Sequence, residues 1–190
     1  MDSATQNPLV LVLAVCVLLA IGAAVWMYLQ KKKTQNLKSR FGPEYDKALG
    51  DHHDRSRAET DLQKRAARVE RFHIHALDGA ERSAFTEDWR REQSLFVDDP
   101  RAAVGHADLL VQNVMQRRGY PSGEFEQNAL DLSVDHPRVV ENYRAAHEVA
   151  LRDREGKAST EDLRKAMVSY RALFDDLLGV TADRPEEVRK

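Results

Sequence analysis

From Leu9 to Leu29 the chain reads LVLVLAVCVLLAIGAAVWMYL, an unbroken run without a charged side chain. About 20 such residues, each advancing an α-helix by about 1.5 Å, cover a hydrocarbon core of about 30 Å. Lipid admits only segments that satisfy their own backbone polar groups, so the sequence predicts a transmembrane helix over 9–30. This span decides where everything after it can be.

The flanks of the span are unlike one another. Trp26 and Tyr28 fall at its C-terminal end, where amphipathic rings favour the headgroup level, and Lys31, Lys32 and Lys33 follow at once. These five residues are the predicted membrane interface. Residues 1–8 contain no Lys or Arg and one acid, Asp2. The positive-inside rule therefore places 1–8 outside and the remainder in the cytoplasm, as a single-pass signal anchor in the cell (inner) membrane. A cleaved signal peptide would instead carry basic residues ahead of a shorter apolar core and a small-x-small site behind it. Cys16, Ala20 and Ala24 share one face at four-residue spacing, a pattern that lets two such helices approach and suggests a homo-oligomer through the span.

Over the whole chain the charge is nearly balanced: 29 Lys and Arg face 31 Asp and Glu, for a net charge of -2. Such a balance gives no field to hold nucleic acid, so no nucleic-acid partner is predicted. The single cysteine, Cys16, excludes an intrachain disulfide and a thiolate metal cluster. Residues 31–53 read as a basic juxtamembrane linker with at most a short helical turn near Tyr45, since Gly42-Pro43 stops a helix leaving the span. Within it, His52 and His53 look like metal ligands, but no further ligand is placed by the sequence.

From residue 54 the apolar pattern is helical, with no run alternating at period two. A bundle of five to six helices over 54–179 is predicted, followed by a flexible tail over 180–190. The first helix, near 55–75, places Ala58, Leu62, Ala66 and Val69 on one face. Asp78 caps a second, with Phe85, Trp89 and Phe96 inward. Val104, Ala107, Val111 and Val114 line a third, which stops at RRGYP through Gly119 and a folded-back Tyr120. A shorter helix near 124–132 buries Phe125, Ala129 and Leu132. The next runs from Pro137 to about Arg154 with Val140, Tyr143, His147, Ala150 and Leu151 inward. The last, opened by Ser159-Thr160-Glu161-Asp162, carries Leu163, Met167, Tyr170, Phe174 and Leu177 at spacings of three and four.

Two words nearly repeat, VDDPRAAV from Val97 and VDHPRVVE from Val134. Asp99 before Pro100 suits a helix start, because the carboxylate accepts first-turn amides and Pro costs nothing at the first helical position, and Pro137 takes the same place in the second word with Asp135 or His136 at the boundary. The two prolines stand 37 residues apart by their numbers, and stacked repeats need about three units or more, so the words read as one start signal used twice. The competing reading makes Arg101 and Arg138 a paired partner surface.

The words RFGPEYD, FVDDP, RGYP and DLSVDHPRVVENYRAAH give the chain its likeness. With them it resembles a group of bacterial single-span membrane proteins over residues 40–179. The resemblance implies a bacterial origin and a membrane-tethered helical domain, and no activity, ligand or partner comes with it.

Enzyme chemistry finds little purchase. Glu70-Arg71-Phe72-His73 matches one Glu-x-x-His of di-iron bundles, which need a second copy and two further glutamates. A phosphate-binding GxxxxGK[ST] loop, an HExxH zinc motif and a GxSxG elbow are missing from the sequence. No catalytic residue, cofactor or metal site is predicted. The sequence is read as a membrane-anchored cytoplasmic helical module that binds another protein, non-enzymatic in action; the alternative is a bundle holding a small ligand or metal through its histidines and acids.

Overall fold

The computed structural model describes residues 8–179. What the sequence predicts for 1–7 and for the 180–190 tail lies outside the described residues. Among those described every regular element is a helix: α1 (Pro8–Phe41), α2 (Pro43–His52), α3 (Arg55–Val69), α4 (Gly79–Asp98), α5 (Pro100–Arg117), α6 (Phe125–Asp135), α7 (Val140–Arg154) and α8 (Thr160–Leu177). The chain forms two compact units, 1–40 and 41–190.

Among the described residues the first unit holds α1 up to Arg40. It is long and apolar enough to cross a membrane, with a mean hydropathy of 2.5 in its most apolar window, none of which is buried. Trp26 and Tyr28 stand 63% and 65% exposed. The helix continues through the lysines to Phe41, so the stretch read as a linker is helical. It breaks where the sequence predicts: Gly42 takes φ 47° and ψ -122°, a conformation closed to other residues, and Pro43 then opens α2.

The second unit holds seven helices among the described residues, one more than predicted, the addition being α2. This helix lacks a long apolar stripe and contributes only Glu44, Tyr45 and Ala48 to the interior. Tyr45 donates its hydroxyl to Glu59 Oε1 at 2.9 Å, which ties α2 to α3. Ala58, Leu62, Ala66 and Val69 are all buried, as predicted. Helix α3 ends at Val69, six residues before the expected end, and residues 73–78 run without regular structure.

The main core joins α4 through α8. Trp89 is the one buried residue of α4 and stacks on Phe174 with ring centroids 4.8 Å apart, while Phe85 and Phe96 pack half-buried at its sides. The stripes predicted for α5 and α8 are buried throughout. Leu151 is the exception on α7, 44% exposed where burial was expected. It lies one position beyond Ala150, which takes the inward place. The caps are as the sequence writes them: Asp78 with Glu81 and Ser159 with Asp162 each close a capping box.

Candidate functional site

The two halves of the repeated word do different work. Asp99 Oδ1 accepts the Ala102 amide at 3.0 Å and Pro100 takes the first position of α5, so the first copy is a helix start. In the second copy Asp135 is the last residue of α6, Pro137 lies in the turn over 137–139, and α7 begins only at Val140. This corrects the expected start at Pro137. Asp135 accepts from the Tyr120 hydroxyl at 3.2 Å instead of capping a helix. His136 carries the joint: its carbonyl accepts from Val139 and Val140, its Nδ1 meets Asp176, and its Nε2 accepts from Arg118 Nη1 at 3.1 Å. Arginine only donates, so Nε2 holds the lone pair and Nδ1 the proton.

Asp99→Ala is expected to cost about 0.5–2 kcal/mol and to speed hydrogen exchange at the Ala102 amide. Asp135→Ala should leave exchange in the first turn of α7 unchanged, because no amide there depends on it. Amide-resolved exchange distinguishes the two; matched acceleration at both helix starts would restore the view of one signal used twice.

Arg101 and Arg138 are not brought together. Arg101 Nε lies 3.5 Å from Asp153 Oδ1 near the C-terminal end of α7, whereas Arg138 is exposed in the turn before its first residue. The 15 residues of α7 separate them, about 22 Å at about 1.5 Å per residue. Lys31, Lys32 and Lys33 are exposed along α1 directly after the apolar window.

The histidines are engaged locally. His52 ends α2, 3.6 Å from Asp61, and His53 is its left-handed cap. Glu70 caps α3 and His73 lies past it in the irregular segment, so the Glu-x-x-His motif lacks the helix its geometry requires. His106 Nδ1 sits 2.9 Å from Glu92, and His147 stacks on Phe125 at 3.6 Å with burial holding its pKa below the ordinary value. Among the described residues no group of three or more His, Cys, Asp or Glu converges to hold a metal ion.

Side chains of both charges do converge in a groove between α5 and α7. Its cavity is about 380 Å³, and its polar lining consists of Arg101, His106 and Asp108 from α5 with Asp153 and Arg154 from α7. Asp108 is only 6% exposed. It accepts from Tyr170 Oη and from Gln112 Nε2, each at 3.0 Å. Burial, and then the Asp108 charge, push the Tyr170 hydroxyl far above its ordinary pKa, so it remains a donor. Of this set the sequence singled out Arg101. A signal for Asp108 was present: it stands four residues after Val104 and three before Val111, a carboxylate on the apolar face of α5.

No family model, curated protein or solved structure matches the chain.

Proposed function

We propose that the chain is a single-span anchor in the cell membrane, N-terminus outside, whose cytoplasmic helical domain is a non-enzymatic docking module for another protein. The observation that carries this reading is the union of two parts: a membrane-length helix whose most apolar window has no buried residue, and a second unit with its own core. An anchor of this kind confines a binding surface to the membrane and raises its effective concentration there. The lysines after the span favour the N-out orientation. Ionisable groups that chemistry would employ are spent on fastening, as in His136 between Asp176 and Arg118. The small-ligand alternative is favoured by one feature, the α5–α7 groove.

A proximity-labelling enzyme fused after Lys190 tests the reading in cells. Labelling should come from the cytoplasmic side and enrich a distinct set of membrane-associated proteins, lost when 1–40 is removed. Periplasmic labelling, or a set identical to that of an unrelated anchored helical domain, would exclude it.

A further inference from the structure

We propose that the α5–α7 groove binds a small zwitterion, a molecule carrying a primary ammonium and a carboxylate. This goes beyond the docking role and does not depend on it. The cavity, about 380 Å³, lies within the range of about 300–1,000 Å³ typical of small-molecule sites.

The acceptors lie deep and the cations at the rim. Asp108 lines the cavity, yet both of its hydrogen-bond donors, Tyr170 and Gln112, are neutral, and no cationic side chain among the described residues pairs with it. A buried carboxylate is costly without an opposite charge, and an ionised one keeps about two of its four acceptor positions free here. Across the groove Asp153 Oδ1 is buried without a hydrogen bond. An ammonium offers three donors to two such carboxylates.

The rim supplies the complementary charge. Arg101 is 58% exposed and held only at 3.5 Å by Asp153, and Arg154 is exposed and makes no ion pair among the described residues. Planar guanidinium groups suit a carboxylate, and Arg101 sits in the first turn of α5, where the helix dipole favours an anion. A plain amine would meet the arginines and a plain carboxylate the aspartates. A zwitterion with its ammonium inward satisfies both.

Gly105 makes the room. Glycine is a poor helix former, yet it sits inside α5 where an added Cβ would meet nothing within 4 Å. No packing demand accounts for it, and it lines the groove between Val104 and His106.

The full chain in lipid nanodiscs should be titrated calorimetrically with glycine, β-alanine, γ-aminobutyrate and 6-aminohexanoate, a series that varies the spacing of the two charges. At least one should bind saturably, and propylamine and propionate should bind at least tenfold more weakly. Asp108→Asn should weaken binding at least tenfold. Gly105→Leu should do the same while melting no lower than the parent, since the new side chain enters open space on a helix it favours; this separates a blocked groove from a damaged fold. Failure of the whole series to bind, equal binding of a singly charged control, or full affinity in a folded Gly105→Leu variant would each overturn the site.

Discussion

Arg144→Ala is expected to destabilise the 41–190 unit by about 3–5 kcal/mol, the range for stripping one partner from a buried ion pair. Its guanidinium donates to both oxygens of Glu44, Nη1 at 2.6 Å and Nη2 at 2.9 Å, between residues 100 apart in sequence. Glu44 is 3% exposed, so removal of Arg144 strands a carboxylate in the interior. Arg65 lies 3.8 Å away and is already paired with Asp61. Burial alone would lower the Arg144 pKa, and the hydrogen bonds and charges of Glu44 and Glu141 together more than reverse this.

Replacing both residues separates a lost interaction from a stranded charge. Glu44→Met with Arg144→Met should lose clearly less stability than Arg144→Ala alone, because no charge is then left unpaired. Truncation adds a third arm. A chain beginning at Tyr45 lacks Glu44 and the fully buried Phe41, so it should melt below one beginning at Phe41. Chemical denaturation of these four proteins gives the ordering. If Arg144→Ala loses under 1 kcal/mol, the pair is a surface-like bridge and α2 is dispensable.

The Glu44–Arg144 pair also shows why part of the fold was legible in sequence and part was not. Caps and apolar stripes are local. Asp78, Asp99 and Ser159 announce their helices within three residues, and Leu163, Met167, Tyr170, Phe174 and Leu177 state the buried face of α8 by spacing alone. Helix α2 carries no such stripe. It is held by Tyr45 on Glu59 and by Glu44 on Arg144, contacts across 14 and 100 residues that no periodicity reports. The repeated word misleads because its two copies differ where the cap sits: Asp99 precedes Pro100 in the first, His136 precedes Pro137 in the second, and there Arg118 and Asp176 hold His136 while Tyr120 holds Asp135, so that this copy closes α6 instead of opening α7. In the α5–α7 groove, Arg101 stood out as part of a repeat, whereas Asp153 and Arg154 reach the same cavity from a helix distant in sequence.

The distinctive words of the chain are thereby explained as fasteners. RFGPEYD supplies the Gly42 break, Glu44 and Tyr45; VENYRAAH supplies Arg144; FVDDP supplies the Asp99 cap. Their distinctiveness reflects architecture and says little about a binding face. A partner surface is better sought on exposed residues that fasten nothing, such as Arg138 before α7 or Val168 on α8, 59% exposed.

RGYP is the strictest of these fasteners, and Gly119→Ala is expected to cost about 2–5 kcal/mol. Two causes combine. Gly119 takes φ 99°, which an L side chain adopts only with strain of about 1–2 kcal/mol. A Cβ built there would also stand 2.3 Å from the His73 carbonyl oxygen and 3.0 Å from its carbon. Both are backbone, so no rotamer change relieves the contact, and moving packed structure aside costs about a further 1–3 kcal/mol. The approach is close because Gly119 ends α5 in a double closure: its amide donates to the Gln116 carbonyl, and the Tyr120 amide donates to Met115, each at 3.0 Å. Tyr120 is thereby folded back into the core, its ring 6.5 Å from Phe72, while the His75 amide donates to the Arg118 carbonyl at 2.9 Å. The 73–78 segment thus rests directly on this helix end, and displacing it should expose Leu77 and loosen the start of α4. Gly156, which closes α7 in the same way at φ 71° with nothing near its missing Cβ, is the internal control. Gly156→Ala should show the conformational strain alone. Equal losses in the two variants would mean that the 73–78 segment yields freely, and that its contact with the α5 terminus contributes nothing to the fold.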